Sequence, residues 1–124
     1  MKIQVDSIIN EIMENTEKEK IGMIATHIGI VKGINEGKRV KSMKVYFYRD
    51  KLSRIIEDVK KREGIMEVKV KVNEGELSAG EWIMVVMIAG EKRDIVFSAL
   101  IDAVERIKKE ATKKEEVYGN GECG

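Results

Sequence analysis

Residues 82–111 read WIMVVMIAGEKRDIVFSALIDAVERIKKEA, and the change of pattern inside this run decides the fold. From Trp82 to Gly90 there is no charge and no alternation, which predicts a strand buried on both faces. After Gly90 the charged EKRD breaks the apolar run. Phe97, Leu100, Ile101, Val104, Ile107 and Ala111 then recur at helical spacing, predicting one apolar stripe over about five turns. A buried strand feeding a long amphipathic helix needs further strands beside it and a layer above it.

The flanking sequence supplies both. Val5, Ile8, Ile9, Ile12 and Met13 predict a helix over 5–15, followed by a charged turn from Glu17 to Lys20. IGMIATHIGIV at 21–31 is uncharged and rich in β-branched residues, a second buried strand. KGINEGKR at 32–39 reads as an exposed, mobile loop, and VKSMKVYFY at 40–48 as a strand. Leu52, Ile55, Ile56 and Val59 predict a helix over 50–62 that stops near Gly64. Strict alternation from Met66 to Val72 predicts a strand with one wet face, and NEGELSAGE at 73–81 supplies turn glycines around Leu77. From about residue 112 the chain turns polar and glycine-rich, and a flexible tail is expected there. The order predicts an α+β fold, a mainly antiparallel sheet with helices packed on one face and the other face awaiting a partner.

Composition bounds the function. The 124 residues, with no proline and with 43% hydrophobic and 36% charged residues, suit a single domain over 1–124 rather than a disordered chain. At this size one core forms, and a substrate cleft is open to completion by a second subunit. Lys and Arg total 23 against 22 Asp and Glu, a formal net charge of +1, so no global field draws nucleic acid or an anionic membrane. The apolar run Ile83–Ala89 is far too short to span a bilayer. Asp6 and Glu11 interrupt the place where a secretory signal would lie, so the expected location is the cytoplasm. The one cysteine, Cys123, excludes a disulfide framework and a thiolate zinc site, and near the chain end it lacks a base to make it a nucleophile.

The residues that could carry chemistry are mostly basic. His27, the only histidine, lies inside an apolar strand and reads first as a buried or interface residue, second as a catalytic group. No metal site is expected, because no second His or Cys accompanies it. Gly29, Gly33 and Gly37 do not make a dinucleotide fingerprint, and no phosphate-loop motif occurs. Lys92 and Arg93 stand where the buried strand ends and the long helix starts, a position where an anion would meet free backbone N–H groups and two cations. Lys32 ends the earlier buried strand. Lys108 sits beside Ile107 at the margin of the helical stripe, where partial desolvation would fit it for proton transfer, and Lys113 and Lys114 follow. These positions together point to a small anionic ligand.

Several segments resemble, in order, the large catalytic subunit of molybdopterin synthase. They are GMIATHIGIVKG at 22–33, the charged loop and strand INEGKRVKSMKVYFY at 34–48, GELSAGE at 75–81 and AGEKRDIVFSALIDAVERIKKE at 89–110. The resemblance runs from about Val5 to Lys109. It implies an α/β-hammerhead-like α+β fold and a homodimer within a heterotetramer. Each protomer would bind a small ubiquitin-like sulfur carrier ending in Gly-Gly. The implied reaction moves sulfur from the carrier's C-terminal thiocarboxylate to cyclic pyranopterin monophosphate, making the molybdopterin dithiolene, with no permanently bound cofactor. Lys108 matches the family's helix lysine, and Arg93 a pocket arginine that binds phosphate or the carrier's terminus. A second lysine position falls on Lys114 with a one-residue gap and on Glu115 without it, with Lys113 adjacent. The implied pocket therefore gathers Lys92, Arg93, Lys108 and Lys114, with Lys32 in place of a family arginine. Lys92 replaces a family histidine, His27 a family phenylalanine, and ATKKEEVY lacks the family's proline and tryptophan. The alternative is a noncatalytic homologue, a dimeric binding module for a ubiquitin-like protein.

Overall fold

The computed structural model describes residues 2–119, with the elements α1 (Val5–Asn15), β1 (Met23–Ile30), β2 (Ile34–Asn35), β3 (Lys38–Phe47) and α2 (Arg49–Lys60) in its first half. The second half holds β4 (Ile65–Val72), β5 (Gly75–Ser78), β6 (Trp82–Gly90), α3 (Arg93–Arg106) and β7 (Thr112–Tyr118). A short 3₁₀ turn, Lys18–Lys20, links α1 to β1, and a π-helical turn, Ile107–Ala111, joins α3 to β7. Cys123 lies outside the described residues.

All strand pairs are antiparallel. β6 is the centre of one sheet, with β1 on one side and β4 on the other. β3 is the centre of the second, between β5 and β7, and its hairpin partner is β2. β6 has no charged residue because both of its faces are covered. Val86 and Ile88 join the core under α2 and α3, with Ile55, Val59, Val96 and Ala103. Val85, Met87 and Ala89 face the other way and pack with Ile3, Ile8 and Ile12. The mainly antiparallel α+β class stands. The placement of all helices on one face holds for α2 and α3 only, because α1 lays its apolar face on the opposite side of β6 and covers what was expected to await a partner.

Three local readings change. Residues 32–39 form a hairpin rather than a mobile loop: Asn35 pairs with Lys38 across Glu36 and Gly37, both at positive φ (52° and 80°), the left-handed pair that a two-residue turn between twisted strands requires. The tail expected from residue 112 is instead β7, paired with β3 from Phe47↔Thr112 to Val40↔Tyr118. Its side chains are polar on both faces, so no alternation announces it. Backbone hydrogen bonding to β3 makes it a strand. On α3 the buried stripe is Val96, Ala99, Ala103 and Val104, while Phe97 and Ile101 are 49% and 60% exposed. Alanines face β6 and β1 because a helix lying close to a sheet leaves little room for side chains, and the larger apolar residues are turned outward.

A lysine-lined cavity between the two sheets

The side edge of the first sheet and the inner face of the second enclose a cavity of about 580 Å³. His27 and Gly29 of β1 and Ile83 and Met84 of β6 form one wall; Met43 and Phe47 of β3 form another. Into this space come Lys32, Lys108 and Lys114, joined by Glu116. The apolar walls lower the local dielectric, so charges at the rim act more strongly here than on an open surface.

Each lysine is delivered by a different device. Lys32 follows β1 directly, after Val31, whose N–H donates to the Glu81 carbonyl (2.9 Å) and whose carbonyl accepts from Gly80 N–H (2.9 Å). Lys108 sits in the π-helical turn, one residue after the fully buried Ile107. The widened turn is closed by the Thr112 hydroxyl, which donates to the Ile107 carbonyl at 2.7 Å. At its end Tyr48 N–H donates to the Ala111 carbonyl at 2.8 Å. Such turns re-aim side chains out of the regular helical rows. Lys114 is placed by register: it lies opposite Val45, whose side chain is buried in the core, and directly opposed residues in an antiparallel pair share a face. Thr112 and Glu116 therefore point the same way as Lys114. Lys113 and Glu115 face the other side, with Lys44 and Tyr46 along a second groove that Val45 and Lys114 also border. Of the three residues open for the second lysine position, the cavity takes Lys114.

Lys32, Lys108 and Lys114 are all exposed side chains, so the desolvation expected for Lys108 does not come from burial within the protomer. Glu116 offsets part of their charge, and its Oε1 is engaged, accepting from Asn35 Nδ2 at 2.8 Å and from the Tyr118 hydroxyl at 2.9 Å. Three lysines and one engaged carboxylate leave an excess of positive charge at the cavity, the requirement for holding a phosphate or a carboxylate terminus. Among the described residues, no group of three or more His, Cys, Asp or Glu side chains could hold a metal ion, and no helix is long and apolar enough to cross a membrane.

Lys92 and Arg93 do not reach this cavity, contrary to the single pocket expected. They line a separate hollow of about 650 Å³ with Gly22, Met23, Glu91 and Asp94. Gly22 and Met23 lie at the start of β1, whereas Ile30 and Lys32 lie at its far end, so roughly 20 Å of strand separates the two basic groups. Sequence reading also missed Asn35, Thr112 and Glu116. A polar strand without apolar alternation gives no signal of which side chains will face inward.

One side-chain hydrogen bond, from Thr112 to the Ile107 carbonyl, closes the π-helical turn. Thr112→Val keeps the shape and removes the donor to Ile107, and it is expected to cost about 1 kcal/mol in urea unfolding. An unchanged midpoint would show that the turn holds without it.

A model of the family described as MoaE protein matches residues 2–110. No curated protein matches the chain. Among solved structures, the X-ray crystal structure of molybdopterin synthase from Staphylococcus aureus superposes with a TM-score of 0.79 at 22% identity, covering 96% of this chain and 88% of that one. Molybdopterin cofactor biosynthesis protein E from Burkholderia multivorans gives 0.76 at 21% identity, covering 95% and 86%. A chain from the Helicobacter pylori complex of subunits 1 and 2 of molybdopterin-converting factor gives 0.69 at 15% identity, covering 95% and 85%. These likenesses establish a shared fold.

Proposed function

The chain belongs to the MoaE protein family, and from that premise we propose that it is the large, catalytic subunit of a molybdopterin synthase. In this reading it moves sulfur from the C-terminal thiocarboxylate of a small ubiquitin-like carrier to cyclic pyranopterin monophosphate in the cytoplasm. The observation that carries the proposal is the convergence of Lys32, Lys108 and Lys114 on one apolar-walled cavity from three separate parts of the chain.

The chemistry asks for such a site. The substrate phosphate and the carrier's thiocarboxylate are both anions, and each must be steered to the same point against mutual repulsion. Lys32 and Lys114 supply fixed positive charge for them. The thiocarboxylate sulfur forms a bond to the pterin side-chain carbon that carries a cyclic-phosphate oxygen, and that carbon–oxygen bond breaks, the phosphate oxygen keeping the electron pair as the ring opens. Water then breaks the bond between the acyl carbon and sulfur, releasing the carrier as a carboxylate and leaving sulfur on the substrate. A second carrier repeats the transfer at the adjacent carbon, whose oxygen leaves as water, and the dithiolene results. Lys108, on its re-aimed turn, is the group assigned to proton transfer or to holding the intermediate. Ile30 lines the cavity and is 49% exposed, which gives the entrance an apolar lip past which a flexible Gly-Gly terminus can thread. The Helicobacter pylori structure, a complex of two subunits of molybdopterin-converting factor, supports a small-subunit partner for this chain.

Lys92 and Arg93 enter this scheme only through assembly. Their hollow is too far from the cavity of the same protomer, so they would serve a cavity only when presented by a second copy, as in the proposed homodimer within a heterotetramer. Their separation from the cavity is also what favours the second reading, a noncatalytic dimeric module that binds a ubiquitin-like protein.

The deciding experiment is a single turnover of cyclic pyranopterin monophosphate with this protein and a thiocarboxylated small carrier from the same source. Dithiolene product is expected. Carrier binding without product would sink the catalytic reading and leave the binding module.

A further inference from the structure

We propose that His27 is a positioning residue for Lys108, its neutral imidazole offering Nε2 as the hydrogen-bond acceptor that holds the Lys108 ammonium in place when an anion fills the cavity. The inference rests on the reading of Lys108 given above, and it concerns a residue that the sequence pattern assigned first to a core or interface role.

Geometry carries it. His27 lies on β1 opposite Val86, on the face that Met23 and Ala25 turn toward the core beneath α3, and it lines the lysine cavity. Two residues on, Gly29 lies on the same face and has no side chain; a Cβ there would stand 3.5 Å from His27 Nε2, in van der Waals contact. The glycine thus leaves that edge of the ring uncovered by its own strand. Nε2 is shut off from solvent and has no hydrogen-bond partner. Buried polar atoms nearly always have one, so an orphan beside a functional cavity calls for a partner that arrives in the working state.

The surroundings narrow that partner. From β6, the neighbouring cavity residues Ile83 and Met84 have no titratable group. From β7, Glu116 is engaged with Asn35 and Tyr118, and Thr112 gives its hydroxyl proton to Ile107. The lysines remain as donors: Lys32 after β1, Lys114 on β7 and Lys108 in the π-helical turn. Lys108 is the one whose charge acts on the imidazole. Burial first, and that charge second, draw the His27 pKa below its ordinary 6.5. The ring is therefore neutral at pH 7 and able to accept a hydrogen bond. Protonated, it would lose the acceptor and repel Lys108. An anion that displaces water from around the exposed ammonium removes its solvent partners, and Nε2, an unpartnered acceptor on the cavity wall, can take their place.

Two measurements test this. The first is the pH profile of single-turnover product formation for the wild type, His27→Phe and His27→Gln. The wild-type rate is expected to fall as pH drops through the lowered His27 pKa, an acid limb below 6.5. His27→Phe retains a flat ring of similar size and is expected to slow the reaction about ten- to a hundredfold and to lose that limb. His27→Gln, which keeps an acceptor near the Nε2 position, should restore most of the rate without restoring the limb. The second is an NMR titration of the imidazole, whose signals are unambiguous because the chain has a single histidine. Lys108→Ala is expected to raise its pKa.

A His27→Phe variant with wild-type rate and acid limb overturns the proposal, and so does an imidazole pKa that Lys108→Ala leaves unmoved. If His27→Phe fails to fold, the glutamine variant carries the same pH comparison. If the wild type makes no product, the sulfur-transfer reading falls, while the titration still decides whether His27 and Lys108 are coupled.

Discussion

Lys108→Ala is expected to lower single-turnover dithiolene formation by about 10²- to 10⁴-fold, the range typical of losing a positioned proton-transfer group. The side chain stands in the π-helical turn between α3 and β7, so its backbone is held by Ile107 packed in the core on one side and by Thr112 bonded to Ile107 on the other. The amine itself is exposed, and its truncation opens no cavity in the core. Stability in urea should therefore stay within about 0.5 kcal/mol of the wild type. That separation of activity from stability makes the experiment decisive. Lys109→Ala is the matched control: Lys109 is the next residue on the same turn, equally exposed and outside the cavity lining, and its loss should leave turnover unchanged. Lys108→Arg keeps the charge but replaces a compact ammonium with a broad planar guanidinium, so partial activity is expected if charge alone matters and little if a proton must move. A Lys108→Ala variant that turns over at the wild-type rate would remove Lys108 from the reaction.

Gly90→Ala is expected to destabilise the fold by about 2–4 kcal/mol, a large share of the stability of a domain this size. Gly90 ends β6 at its most crowded point, opposite Met23 of β1 and Ile65 of β4 at once. A Cβ there would lie 2.5 Å from the Gly64 carbonyl oxygen and 2.6 Å from Val96 Cγ2. Neither neighbour can move freely. The Gly64 carbonyl accepts from Glu91 N–H at 3.0 Å, Gly64 has φ +86°, and Ile95 packs where its Cβ would be. Val96 is fully buried at the start of α3. Relief must come from shifting the turn between α2 and β4 or from lifting the first turn of α3, and either opens the core. Urea unfolding measures the cost. A loss under about 1 kcal/mol would mean that the junction adjusts more easily than its contacts imply.

Much of this architecture was legible residue by residue. Val5, Ile8, Ile9 and Ile12 predicted a helix over 5–15, and α1 is Val5–Asn15. The uncharged run at 82–90 is β6, and the one at 21–31 contains β1. These elements announce themselves because burial demands apolar side chains at the period of the local backbone. The same logic fails for TKKEEVY at 112–118. That strand is made by hydrogen bonds between main chains, which any of its residues can form, and its side chains record no period. It also fails for α3, where Ala99 and Ala103 rather than Phe97 and Ile101 face the sheet. Apolarity identifies a face only when the space behind it admits large side chains.

For the candidate site the division is similar. The sequence by itself determined that lysines would cluster near the ends of the buried strand and the long helix, that one histidine would sit in an apolar strand, and which family the segments resemble. Only the tertiary structure decided that Lys32, Lys108 and Lys114 share a cavity while Lys92 and Arg93 do not. It alone decided that the register Val45↔Lys114 turns Lys114 inward and Lys113 outward, and that His27 stands at the same cavity with Nε2 unpartnered. The physical reason is one of range. Helical and strand periods are local properties of a chain, but which face of a strand looks into a cavity depends on its pairing with a partner far away in sequence, and a shift of one residue would exchange the two faces.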